Sequence, residues 1–133
     1  MSVANIAAVQ NLYGAYARRD METLFKAFAP DIEWHAHGQA KDFPALGPRK
    51  GIAAAREFFE ITTGMLEFSA FSPNEFFSDK DKVFVLGHYA MTIKKTGRKF
   101  ASDFVHVMTL KDGKIAKFDE FLDTALLAAA SRD

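Results

Sequence analysis

KFASDFVHVMTLKDGKIAKFDEFLD, residues 99–123, decides the fold. Two runs of alternating apolar residues flank Lys111-Asp112-Gly113, the signature of two antiparallel strands joined by a tight turn. A three-residue loop with Gly113 in the left-handed conformation pairs Leu110 with Lys114 and puts the even-numbered residues of both strands on one face. That face reads Phe100, Ser102, Phe104, His106, Met108, Leu110, then Ala116, Phe118, Glu120, Leu122. In this register Phe118 lies opposite His106 and Glu120 opposite Phe104. The two polar groups are then diagonal neighbours, roughly 7–8 Å apart at the backbone and within reach of each other. A two-residue turn on Asp112-Gly113 instead pairs Lys111 with Lys114 and sets His106 against Asp119. It mixes Lys117 and Asp119 into an apolar face, so the hydrophobic pattern favours the first register.

The rest of the chain reads helices first and strands afterwards. From Val3 to about Arg19, Ile6, Val9, Leu12, Tyr13 and Tyr16 recur at helical spacing. Asp20 caps a second helix carrying Leu24, Phe25 and Phe28, which stops near Pro30. A short strand around Ile32–His37 and a loop with Phe43-Pro44 and Gly47-Pro48 lead to a third helix from Gly51 to Gly64. Strands are expected at about Met65–Ser78, Lys82–Lys94, Lys99–Leu110 and Lys114–Asp123, with a helix-prone tail at Thr124–Ala130 that can fold over a cavity. This order predicts one α+β domain over residues 1–133: a cone-shaped, curved antiparallel sheet with three N-terminal helices on its concave face. A ligand site belongs in the mouth of such a cone.

Composition narrows the function. The chain has 133 residues, of which 14 are Phe, more large rings than a core of this size demands. They suit an aromatic-lined cavity for a small apolar ligand, or an apolar interface. Seventeen basic residues balance 17 acidic ones without a basic run, so no nucleic-acid footprint is expected. The densest basic cluster, Lys94, Lys95, Arg98 and Lys99, surrounds Gly97 and reads as a solvated hairpin tip. Absence of cysteine removes disulfides, thiolate nucleophiles and Cys-based metal sites. No secretory signal pattern and no bilayer-length apolar run is visible, so no membrane association and a cytoplasmic location are expected.

His106 and Glu120 carry the chemistry. A histidine accepts and returns protons near neutral pH, and a carboxylate partner orients the imidazole. The bland alternative is a satisfied polar pair in the sheet wall. His35 and His37 alternate on one strand, a common start for a Zn or Fe site. No carboxylate follows at a suitable spacing, where Lys41 stands, and His88 and His106 lie on distant strands, so no metal site is expected.

Gly47-Pro48-Arg49-Lys50-Gly51-Ile52-Ala53-Ala54-Ala55-Arg56-Glu57-Phe58-Phe59, the helix pair ending Phe28-Ala29-Pro30-Asp31, and Phe118-Asp119-Glu120-Phe121-Leu122-Asp123-Thr124-Ala125 together resemble the nuclear transport factor 2-like superfamily. The resemblance is to its SnoaL-like and ketosteroid isomerase-like branch. It implies proton transfer next to a carbonyl without a cofactor, in an isomerase or polyketide-like aldol cyclase, and a homodimer. The second sheet face, with Val105, Val107, Ile115 and Phe121, would serve as its interface. A non-catalytic binder or a dimeric accessory subunit is the alternative. The resemblance places Tyr16, Trp34, Phe59, Tyr89, Met91 and Phe118 at pocket-lining positions, with Trp34 and Ala36 inward and His35 and His37 outward. The position of the isomerase base matches Ala36. That of the helix-borne oxyanion tyrosine matches Leu12, with Tyr13 turned by about 100° from it. His106 matches the third catalytic position.

Overall fold

The computed structural model describes residues 2–132. Helix α1 spans Val3–Ala17 and α2 spans Met21–Lys26. Side-chain oxygens of Ser2 and Asp20 accept the backbone N–H groups of Asn5 and Thr23, capping the two N-termini. Strand β1 (Phe28–Ala36) follows, then β2 (Gly47–Lys50), α3 (Ile52–Met65), β3 (Leu66–Asp79), β4 (Lys82–Ile93), β5 (Lys99–Lys111), β6 (Lys114–Leu122) and α4 (Thr124–Ser131). The six strands form one curved open sheet in the order β2-β1-β6-β5-β4-β3. Every pair is antiparallel except β1 with β6, which is parallel. Among the described residues no helix is long and apolar enough to cross a membrane.

Two elements differ from the expectation. Phe28 begins β1 rather than closing α2, because the helix ends at Lys26 and Ile115 donates its backbone N–H to Ala27 O. The segment expected as a loop at Gly47-Pro48 forms the edge strand β2, where proline loses no ladder bond that a neighbour needs. Pro73 is accommodated similarly on the opposite edge, beside an irregularity in β3.

The decisive hairpin combines the two registers weighed from its sequence. Lys111 pairs with Lys114 across a two-residue turn, with φ of 53° at Asp112 and 78° at Gly113, as a primed turn requires. The expected Leu110–Lys114 pairing is therefore wrong, and Leu110 pairs with Ile115. One residue further the ladder skips Ala116, so that Thr109 meets Lys117 and Met108 meets Phe118. The bulge restores the even-numbered face but shifts its pairing, and His106 stands directly opposite Glu120 rather than Phe118. It also turns Ile115 into the core, 1 % exposed, removing it from the outer face.

The inner face carries Val83, Val85, Tyr89, Met91, Phe104, His106, Met108, Phe118 and Glu120, all buried. Helices α1, α2 and α3 cover it, contributing Val9, Leu12, Leu24, Phe25, Phe58 and Phe59 to one contiguous core. Gly87 lies opposite Phe104, and a Cβ there would overlap the Phe104 ring and the Ser72 carbonyl oxygen. Its absence lets Phe104 stack on both Tyr89 and His106, with ring centroids 4.2 Å away in each case. Helix α4 packs Leu127 and Ala130 into the core. The basic hairpin tip does more than face water: Arg98 Nη1 donates to Ala129 O and Arg132 O, and Thr96 Oγ1 to Ala130 O, satisfying the carbonyls at the end of α4.

Candidate active site

Strand alternation and the α1 stripe converge on a cavity of about 80 Å³ between helices and sheet. Tyr16, Trp34, Phe59, Tyr89, Met91, His106, Phe118 and Glu120, the residues singled out from sequence, all line it. Leu127 of α4 lines it as well, so the tail folds over the cavity. An outer cleft of about 430 Å³ lies between α1 and β3, with Arg19 at its rim. Tyr13, Tyr16, Phe68 and Phe71 line both spaces, which makes these rings the partition between cavity and surface.

Four side chains form the polar centre. His106 Nε2 is 2.9 Å from Glu120 Oε2, and the Tyr89 hydroxyl donates to the same carboxylate oxygen at 2.6 Å while standing 2.8 Å from Nε2. On the other side of the ring, the Tyr13 hydroxyl is 2.6 Å from His106 Nδ1. With a neutral imidazole, the assignment that satisfies every group places the proton on Nε2, donating to Glu120, and lets the Tyr13 hydroxyl donate to Nδ1. Glu120 Oε1 receives no hydrogen bond from the described residues.

The family's tyrosine position falls on Leu12, one residue before Tyr13. The structure brings both to the cavity wall, because α1 presents a face wide enough for Leu12, Tyr13 and Tyr16 together. The available signal was a pair of tyrosines at i and i+3 on the packed side of a helix: a buried tyrosine hydroxyl needs a partner. Burial pushes the Tyr13 hydroxyl far above the ordinary phenol range, and the charge of Glu120 pushes the same way. Tyr89 is raised by the same two causes and by its bond to Glu120. Burial also raises Tyr16, against the opposing effect of Arg19, which stacks on its ring. Both tyrosines of the network are therefore neutral donors at physiological pH rather than bases.

Trp34 sits across the cavity. Its ladder partner Phe118 stacks on it with centroids 3.8 Å apart, and Phe58 and Phe59 press on it from α3. The indole Nε1–H is buried and finds no acceptor among the described residues. Ala36, the position matching the isomerase base, is fully buried and pairs with Glu120 in the parallel ladder, so a carboxylate does stand beside that position, on the neighbouring strand. On the outer face of the same two strands lie His35, His37 and Asp119.

The sequence profile of the SnoaL-like domain matches residues 9–118, most of the chain. The chain belongs to the SnoaL-like family. Among solved structures it is similar to an NTF2-like protein from Burkholderia xenovorans LB400, at 30 % identity over 99 % of this chain and 98 % of the other, with a TM-score of 0.90. It is also similar to TerC, crystallised with polyporic acid, at 28 % identity over 96 % and 97 % of the two chains, TM-score 0.82. A protein of Xanthomonas campestris with a cystatin-like fold is 22 % identical over 96 % and 98 % of the two chains, TM-score 0.79, a likeness of fold alone. No curated protein matches. Membership of the SnoaL-like family agrees with the curved sheet, the covering helices and the cavity. It does not name a reaction, since function in such a fold resides in the particular side chains.

Proposed function

We propose that this SnoaL-like protein catalyses proton transfer next to the carbonyl of a small aromatic or polyketide-like compound, as an isomerase or an intramolecular aldol cyclase. The observation that carries the reading is the arrangement around Glu120. Two donors occupy Oε2, Oε1 is left without one, and the Tyr13 hydroxyl lies at the far side of His106 in a wall of aromatic rings. Glu120 Oε1 takes the proton from the carbon next to the carbonyl. The Tyr13 hydroxyl turns from His106 Nδ1 to the carbonyl oxygen and donates to it as it gains negative charge. His106 thus positions both groups, with Nε2–H on Glu120 Oε2 and Nδ1 beside the Tyr13 oxygen, and Tyr89 holds the carboxylate in place. Return of the proton to another carbon isomerises the substrate. Alternatively, attack of the enolate carbon on a second carbonyl forms a carbon–carbon bond, and the resulting alkoxide takes the proton back.

Trp34 Nε1–H supplies a further donor for a second oxygen of the substrate, and TerC's partner polyporic acid makes that compound the first probe. A cavity of about 80 Å³ has room for a few water molecules, so a larger ligand requires the Tyr13, Tyr16, Phe68 and Phe71 partition to move toward the outer cleft. The second reading is a binder without catalysis, favoured by the fact that both nitrogens of His106 already have protein partners. Incubation of enolisable cyclic ketones in D₂O with the wild type and with His106→Gln separates the two. A catalyst incorporates deuterium and loses roughly 10²–10⁴ of that rate in the variant while keeping most of its affinity. Ligands that bind but never exchange reject catalysis.

A further inference from the structure

We propose a divalent transition-metal site, of the kind that takes Zn²⁺, on the outer face of the β1–β6 seam, formed by His35, His37 and Asp119. Strand alternation projects the two histidines to the same side, away from Trp34 and Ala36, and the parallel ladder sets Asp119 directly beside His35. The carboxylate missing from the local sequence therefore comes from the neighbouring strand. One ligand atom from each residue lies within 4.8 Å of the others, and all three side chains are half-buried. The histidine rings stack with centroids 3.7 Å apart, and Phe121 lies flat on His37 at 4.3 Å, holding it on the seam.

His37 Nε2 is 2.8 Å from Asp119 Oδ1. A tetrahedral zinc ion spaces its nitrogen and oxygen ligands roughly 3.3 Å apart, so the ion replaces this hydrogen bond with a small side-chain displacement. Two imidazoles and one carboxylate suit zinc, nickel or copper, and the fourth position is left to water. Lys117 Nζ stands 3.9 Å from the other carboxylate oxygen, Oδ2, and leaves Oδ1 facing the histidines. The site is on the opposite side of the sheet from the cavity and is independent of the reaction proposed there. Its consequence is mechanical: the ion clips together the parallel β1–β6 pair, the two strands that carry Trp34, Phe118 and Glu120.

The test uses the whole chain and the metal alone. Titration with Co²⁺ should give one equivalent of a visible tetrahedral spectrum, displaced by Zn²⁺. A free Zn²⁺ concentration a hundredfold above its Kd should raise Tm by about 10 °C. His35→Ala and Asp119→Asn, both outward substitutions, should weaken binding at least tenfold and cut the Tm rise at the same free Zn²⁺ to about half or less, while His88→Ala, at a separate surface pair with Asp103, should change neither. Failure of the wild type to bind Co²⁺ or Zn²⁺ overturns the proposal. So does binding that survives Asp119→Asn undiminished.

Discussion

Replacement of Tyr89 by Phe isolates the bond that holds Glu120. The ring keeps its packing, since Phe104, Phe71 and Phe68 touch its faces and edge rather than the hydroxyl. What disappears is a hydroxyl that donates to Glu120 Oε2 at 2.6 Å, in a residue only 3 % exposed. A hydrogen bond to a charged group contributes about 1.5–3 kcal/mol, and the lost hydroxyl no longer has to be desolvated, so the expected net cost is about 2 kcal/mol. For a domain of this size that lowers Tm by about 6–10 °C. Tyr13→Phe breaks a bond to a neutral imidazole nitrogen and should cost about half as much. Urea denaturation at neutral pH, with an unchanged m value, measures both. In a Glu120→Gln background the acceptor is neutral, and the cost of Tyr89→Phe should fall to about 1 kcal/mol. A cost below about 0.5 kcal/mol, or an equal cost in both backgrounds, refutes the charge-assisted bond.

The three tyrosines make a second prediction, because burial raises every one of them. Each holds its proton more tightly folded than unfolded, so their stabilising contribution is complete below the unfolded value of about 10 and is lost as pH rises above it. Absorbance at 295 nm should show no tyrosinate while the protein stays folded, then all three at once on alkaline unfolding; a titration step near the ordinary phenol value in the folded protein contradicts this. Gly87→Ala should destabilise by about 3 kcal/mol, since the new methyl displaces the Phe104 ring toward Tyr89 and His106. A Tm within 2 °C of wild type would show that the strand absorbs the clash. Tyr13→Phe should lower kcat by roughly 10²–10³ with little change in ligand affinity, as removal of an oxyanion donor does; an unchanged kcat removes Tyr13 from the reaction.

Alternation alone placed Phe104, His106, Met108, Phe118 and Glu120 on one face, because side-chain direction in a strand depends only on parity. The exact partner of His106 was not legible. It depends on a bulge at Ala116, and a small residue in a strand gives no sign that the ladder will skip it. Tyr13 was hidden for another reason: comparison with a family pattern asks about single positions, whereas a helix packed into a curved sheet presents several neighbouring residues to it. Strand β2 has only four residues, two of them Gly47 and Pro48, and takes its structure from pairing with β1 rather than from propensity. Asp119 beside His35 was invisible because the β1–β6 contact is parallel and distant in sequence, and no local rule predicts which strands become neighbours.

In the proposed reaction a substrate carbonyl oxygen takes the Tyr13 hydroxyl while the adjacent carbon faces Glu120 Oε1. A crystal structure of the protein with a bound cyclic ketone, or with polyporic acid, tests it directly. A ligand oxygen is expected within hydrogen-bond distance of Tyr13 Oη and the neighbouring carbon against Glu120 Oε1, with Nε2 of His106 still on Oε2. A ligand whose oxygens all point away from Tyr13 and Glu120, bound wholly in the outer cleft or only against Trp34, would contradict it.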